Sequence, residues 1–509
     1  MSEHDPAAGL TLTRRILILM AVMLASTLYS TTLLIVSTLL PQMQGALAAT
    51  PDEIAWAMTF NILATAVVTP MTGWLVGRFG RRNVMVGSVL IFSIATYFCG
   101  DSDSLQGLVF WRIIQGGAGA PVVPLSNAIV LDSFPRRQAG LISSIFGMAV
   151  VIGPVIGPTL GGYLAQEYSW RWAFYMLVPV CFTSLAALWL TLPADRPQGA
   201  VRLDWIGFLT LAAAMSCVQL VLSRGQRLDW FESPEIILEA IGAAAAFYLF
   251  LAHSLTARRP FLNLRLLLDR NYAIGLVLVT IYGMLNFTPV VLLPPLLQQH
   301  AGYPDHIIGE ILGMRGVGAT IGFFVAMFFG RLEPRIGMTI GFGIQVISGL
   351  WLMSLNLDVD THILAVNSVL QGMAVGIIWV PLTVTTFATL DTRHTPEAMA
   401  LFHLLRNIGS SFFISISVAE IIRTTGENYS RLSAMVSPYN KALSLPWVMG
   451  GWSVDTLPGL ARLAKEINRQ AAMIGYVNAF ALYTATSAAA IAVVAFAKKR
   501  QRVAVVAAE

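Results

Sequence analysis

The sequence runs to 509 residues, of which 56% are hydrophobic and only 12% charged. Ordinary soluble domains carry charge on about a quarter of their residues, so this composition excludes a water-soluble globular protein and indicates a polytopic membrane protein. The formal net charge of +5 calls for no nucleic-acid partner, because the excess of Arg and Lys collects in the loops of one membrane face.

A bilayer-spanning helix needs about 20 mainly apolar residues. Fourteen such segments follow one another, beginning near Ile16, Ile54, Val84, Leu108, Leu141, Ala173, Trp205, Ile236, Tyr272, Ile307, Met338, Ile363, Met399 and Met473. The first follows Arg14 and Arg15 and is too long for the apolar region of a cleaved signal peptide, so it is expected to be retained. With Met1 inside, 20 of the 32 Lys and Arg fall in cytoplasmic segments, three (Arg112, Arg315, Arg406) fall within helices and nine lie outside, six of them in or beside one long loop. Both termini are therefore expected in the cytoplasm. Cys99, Cys181 and Cys217 are isolated, with neither a disulfide framework nor zinc-ligand spacing. No cofactor or metal is expected.

Along the chain, "GWLVGRFGRRNV" lies between the second and third helices. Gly73 and Gly80 allow close helix contact and a sharp turn, and Arg78, Arg81 and Arg82 suit the negative end of a helix dipole and anionic lipid heads. In "WRIIQGGAGA", Arg112 lies inside the fourth helix. "GPVIGPTLGG" in the fifth places Gly153, Gly157 and Gly161 four apart, a stripe that lets backbones approach closely, with Gly162 following. Pro154 and Pro158 remove backbone donors at the same spacing, so the segment reads as a tightly packed, pliable helix. Later come Glu310 and Arg315 in the tenth helix, then His403 and Arg406 in "ALFHLLRNIGSS". A polar segment at about 424–471 is expected as a long outer loop, serving either as plain surface or as a docking element.

The chain also matches itself. "QGGAGAPVVPLS" from Gln115 aligns with "QGMAVGIIWVPLT" from Gln371 at an offset of 256. Phe146, Ile152 and Gly153 align with Phe402, Ile408 and Gly409 at the same offset, and Gly73 to Gly80 align with Gly330, Leu332, Arg335 and Gly337 at 257. Three matches in chain order imply a duplicated six-helix unit. The expected fold is all-α with 14 helices as 6+2+6: residues 1–200 as one half, 201–258 as a two-helix insertion and 259–509 as the other half.

These motifs resemble those of the major facilitator superfamily, within it the fourteen-helix drug:proton antiporter branch. "GPVIGPTLGG" followed by "SWRWAFYMLVP" matches the fifth-helix antiporter signature, and the resemblance extends from about Leu33 to Phe480. It implies an inner-membrane exporter of amphipathic organic compounds working by alternating access against protons, and often a periplasmic adaptor with an outer-membrane channel as partners. It also implies acids that this chain lacks. Gly77, Thr32 and Asn478 stand where the branch carries Asp.

A titrating group must then lie elsewhere. Intramembrane ionisable residues are costly and are functional candidates by default. Glu310 comes first, either as a buried carboxylate or as one near the outer headgroups; His403 is second, either as a titrating imidazole or as one hydrogen-bonded across helices. Arg112 either couples protonation to access, the role the resemblance implies, or is held by backbone carbonyls. Arg315 and Arg406 join the set. Met58, Asn61, Asn127, Tyr282, Asn286, Phe287, Gln371 and Trp379 offer the apolar area and few polar groups of a substrate cavity. An importer or uncoupled facilitator of the same fold is the alternative. A remote one is a membrane acyltransferase using His300 and Asp305, an HxxxxD pattern without the further sequence blocks such enzymes need. No GxxxxGK[ST] loop is present, so the chain carries no ATP motor of that kind.

Overall fold

In a computed structural model the described residues are 11–496 apart from 50, 55, 136–137, 194–202, 226–227, 258–259, 263, 330–332, 391–394, 438, 442, 444, 446–451 and 455. Among them the chain is helical throughout its regular structure, and 14 helices are long and apolar enough to cross a bilayer. They are α1 (Leu12–Ala46), α2 (Trp56–Phe79), α3 (Arg81–Gly100), α4 (Leu105–Ser133), α5 (Ala139–Glu167), α6 (Trp172–Thr191), α7 (Trp205–Arg224) and α8 (Pro234–Thr256). The series continues with α9 (Arg270–Ala301), α10 (Asp305–Phe329), α11 (Pro334–Met353), α12 (Thr361–Phe387), α13 (Thr395–Ser433) and α14 (Leu457–Phe496).

Short polar residues start several of them by accepting an otherwise orphaned backbone N–H. Ser104 accepts from the Gly107 amide at 3.2 Å, Asp204 from Gly207 at 3.1 Å, and Asp269 from Tyr272 at 2.9 Å. Gly80, at a φ of 82°, turns the chain between α2 and α3 with a conformation that a side chain would strain. Gly73 differs from expectation: a β-carbon there would meet nothing within 4 Å, so it makes no close helix contact.

Residues of α1 to α6 share one apolar core, running from Ile18 to Leu192, while residues of α9 to α14 share two adjoining ones. The glycine stripe of α5 packs on α1. A β-carbon at Gly153 would stand 2.6 Å from the Thr27 carbonyl oxygen, one at Gly157 2.6 Å from that of Thr31, and one at Gly161 2.7 Å from Ile35. Gly162 is buried beside them, and the Pro158 side chain lies outside the described residues. On its other side α5 meets α10, where the Thr159 hydroxyl donates to the Gly309 carbonyl at 2.9 Å.

The pair α7 and α8 is clamped at both ends. Arg224 reaches Glu235 at 2.6 Å and Glu239 at 3.1 Å, while Asp204 holds His253 at 2.8 Å and accepts from the Phe261 amide at 3.0 Å. Of the two, α7 packs against α2 and α13.

The long outer loop expected at about 424–471 is mostly helix. α13 continues to Ser433 and α14 begins at Leu457, so "RLAKEINRQ" is helical. Pairs one helical turn apart stabilise such polar extensions: Arg423 with Glu427 at 3.0 Å, and Glu466 with Arg469 at 3.1 Å. Gly330 and Leu332 of the repeat lie outside the described residues.

Candidate functional site

Between the first six and last six helices lies a central cavity of about 50 Å³. Tyr29 and Leu33 from α1, Phe146 and Pro154 from α5, Phe287 from α9 and Phe323 from α10 give it apolar walls. Arg315 from α10 and Arg406 from α13 also line it.

Each arginine is fixed by neutral acceptors. Arg315 is 3% exposed, donates to Asn286 Oδ1 at 2.9 Å, to the Asn286 carbonyl, and to Gln371 Oε1 at 3.1 Å. Gln371 in turn donates to Asn367 at 2.7 Å. Arg406 lies 5.7 Å from the centre of the Trp379 ring and donates to Asn407 Oδ1 at 3.3 and 3.4 Å. No carboxylate pairs with either among the described residues. In a poorly polarisable interior two uncompensated cations attract an anionic or electron-rich group far more strongly than they would in water.

Arg112 is elsewhere. It is fully buried in the first six helices, donating to the Ala57 carbonyl at 2.9 Å, the Thr32 carbonyl at 3.2 Å and Gln115 Oε1 at 2.6 Å. Asn61 supports it from α2, donating to the Arg112 carbonyl at 2.8 Å. Of the two sequence readings of Arg112, the carbonyl-held one describes its surroundings.

Four cavity candidates, Tyr282, Asn286, Phe287 and Trp379, line the central space. Met58 lines a second, lateral cavity of about 310 Å³, to which Phe287 also contributes. Asn61, Asn127 and Gln371 line neither; they are buried in contacts with the Arg112 carbonyl, Met399 and Arg315. The sequence reading missed Tyr29, Phe146, Phe323, Gln219, Ser410 and Ser415. Phe146 carried a signal, since it begins a repeated match.

Glu310 is exposed, so its burial is corrected: one helical position away, Gly309 meets α5, and Glu310 points off that contact. His403 is 2% exposed, but neither ring nitrogen has a hydrogen-bond partner among the described residues, which corrects the cross-helix hydrogen bond. Its ring sits 6.1 Å from that of Trp379 and 5.7 Å from that of Phe402. Thr32 donates to the Tyr29 carbonyl at 2.8 Å and Asn478 to Thr424 at 3.4 Å, both neutral. In the loop motif Arg81 pairs with Asp132 of α4, Arg82 donates to the Trp189 carbonyl at 2.7 Å, and Arg78 is exposed. These contacts stay within the first six helices. No cluster of His, Cys, Asp or Glu able to hold a metal occurs among the described residues.

A family model, the Major Facilitator Superfamily, matches residues 20–414. The chain belongs to the Major Facilitator Superfamily. Its members are transporters rather than enzymes, and the pattern of His300 and Asp305 is not a catalytic site here; the His300 ring packs 6.0 Å from that of Tyr476. Among relatives, the chain is 28% identical over 487 residues to the multidrug export protein EmrB of Haemophilus influenzae, covering 95% of this chain and 96% of that one. It is also 28% identical over 412 residues to the fatty acid resistance protein FarB of Neisseria gonorrhoeae, covering 80% and 81%. Among solved structures it resembles the superfamily proton:xylose symporter XylE with a TM-score of 0.62 at 13% identity, each chain covered to 96%. A bacterial homologue of the lysosomal transporter Spinster gives 0.56 at 15% identity, covering 96% of this chain and 97% of that one. These likenesses establish the superfamily fold.

Proposed function

We propose that the chain exports amphipathic organic compounds by alternating access, in exchange for protons. Two six-helix halves, residues 1–200 and 259–509, rock about the central cavity, and residues 201–258 join them. The observation that carries this reading is the cavity itself, in which aromatic walls meet two arginines with no facing carboxylate. That lining suits an apolar body bearing an anionic or electron-rich head. The relatives named for multidrug export and for fatty acid resistance support the same class.

His403 is the titratable group best placed for coupling, buried against Trp379 and one helical turn from Arg406, so a charge on the imidazole would press on both cavity wall and guanidinium. Glu310, being exposed, is the weaker candidate, and Arg112 steadies the first half. The motif of Gly153, Pro154, Gly157, Pro158, Gly161 and Gly162 forms the hinge-side packing, and the loop of Gly73, Arg78, Gly80, Arg81 and Arg82 anchors the first half at one face. The bacterial inner membrane with both termini cytoplasmic is the setting, supported by the distribution of Lys and Arg. The polar ends of α13 and α14 offer a seat for an adaptor leading to an outer-membrane channel.

An uncoupled carrier or importer is the second reading, favoured by the neutral Thr32 and Asn478. Proteoliposomes with an internal pH dye and an inward proton gradient separate the two when lipophilic dyes are added. Antiport predicts substrate-dependent proton flux in wild type, lost in His403→Asn and kept in Glu310→Gln. Transport that ignores the gradient in all three proteins would establish the uncoupled carrier.

A further inference from the structure

The lateral cavity has one wall that the duplicated helices do not supply. Toward the chain's termini, α13 packs directly on the last turns of α2. Toward the opposite face these helices part, and α7 fills the gap: Ser411 of α13 donates to Gln219 Oε1 of α7 at 2.6 Å. The space left between them is about 310 Å³, against about 50 Å³ for the central cavity. The two adjoin, since Tyr29, Leu33 and Phe287 line both.

Their chemistry differs. No residue lining the lateral cavity carries a charge. Asn407, which accepts from Arg406, marks the border with the cationic centre. One wall is polar, with Gln219 and Ser223 one turn apart on α7 and Ser410, Ser411 and Ser415 on α13; the facing wall is apolar, with Leu33, Met58, Ile62, Phe287 and Val291. Thr59, Ser410 and Ser415 line the space with hydroxyls that make no hydrogen bond among the described residues. A charged ligand would sit here without a counter-ion at a large desolvation cost, whereas a neutral one could satisfy those hydroxyls and bury its apolar face.

We propose that this lateral cavity is a second binding site, walled by the inserted helix α7, for uncharged amphipathic molecules passing between the central cavity and the bilayer half remote from the termini. The passage rests on the export reading; the binding site does not. On that reading, with both termini cytoplasmic, it is the release side. The insertion then has a task of its own, closing the gap between halves toward lipid while leaving a pocket that lipid-soluble substrates can occupy.

The test uses the uncharged dye Nile red with the full-length protein in lipid nanodiscs, followed by fluorescence, alongside efflux of the same dye from proteoliposomes. Ser415→Trp, which fills the cavity, is expected to weaken binding at least tenfold, and Gln219→Leu several-fold. Leu209→Trp, on the exposed face of α7, should bind as wild type. If Ser415→Trp does not fold, Gln219→Leu with Thr59→Trp decides the question. Wild-type affinity in the folded cavity variants, or no dye binding by wild type, would overturn the site. Dye efflux continuing normally in Ser415→Trp would overturn the passage through the site and leave export standing; dye binding lost in Ser415→Trp with no efflux by wild type would leave the binding site standing and overturn export of the dye. Mass spectrometry finding phospholipid retained by wild type and lost from Ser415→Trp, with no dye displaced, would assign the cavity to structural lipid and overturn the proposal.

Discussion

At the scale of single residues, the intramembrane arginines sit in different surroundings. Arg112 fills its own half with hydrogen bonds to two carbonyls and an amide. Arg112→Ala orphans those acceptors and should cost about 3 kcal/mol, read as a lower unfolding temperature in detergent. Arg406 makes only long contacts with its neighbour Asn407 and a ring. Arg406→Gln should leave the unfolding temperature within a few degrees while transport of an anionic lipophilic dye falls at least tenfold, about 1.4 kcal/mol. Sequence alone picked out all three, because charge in an apolar run is conspicuous. It did not separate them, since facing depends on helix rotation and the apolar spans are hydrophobic nearly all round. The same blindness admitted Asn61 and Gln371 to the cavity, where the polar atoms turn to Arg112 and Arg315 instead.

At the scale of elements, the fifth helix is the most legible. Its glycine spacing predicted a close backbone approach, and the Thr27 and Thr31 carbonyls stand where β-carbons would have to go. Gly153→Ala should cost about 2 kcal/mol by overpacking, with thermal unfolding as the measure. The polar ends of α13 and α14 were illegible as helix, because a search for apolar spans stops where Arg423, Glu427 and Glu466 begin; their one-turn pairs carry the helix onward. The pair α7 and α8 makes a pH prediction. Burial alone would raise the Asp204 carboxyl, but the Gly207 amide, the His253 ring and the Phe261 amide outweigh it and hold the group below the ordinary carboxylate range. A depressed native value contributes stability above the unfolded value of about 4, which is lost as pH falls through the lower native value. The unfolding temperatures of wild type and Asp204→Asn should therefore differ at pH 7 and converge in acid.

At the scale of the molecule, the constant offset pairs segments of the first six helices with segments of the last six, yet the paired segments are not copies in their chemistry. The offset of 256 sets Arg315 against Thr59 and Arg112 against Ser368. An arginine thus lies between α2 and α4 and another between α10 and α12, the pairs that the offset sets against each other, but each is supplied from the opposite partner, and of these two only Arg315 reaches the cavity. Orientation is checked by labelling. Asn440→Cys should react with a membrane-impermeant maleimide in intact cells, whereas Gln138→Cys should react only after permeabilisation; the reverse pattern would invert the topology.

The 39 residues of α13 and 40 of α14 correspond to roughly 60 Å of helix, twice the roughly 30 Å of a bilayer's hydrocarbon core. The excess makes a stiff twin mast rooted in one half. Were that half to tilt by about 10°, a point some 30 Å along the mast would sweep about 5 Å. The transport cycle would then be felt above the membrane as a mechanical stroke, and anything seated on the mast would be moved by it without touching the substrate.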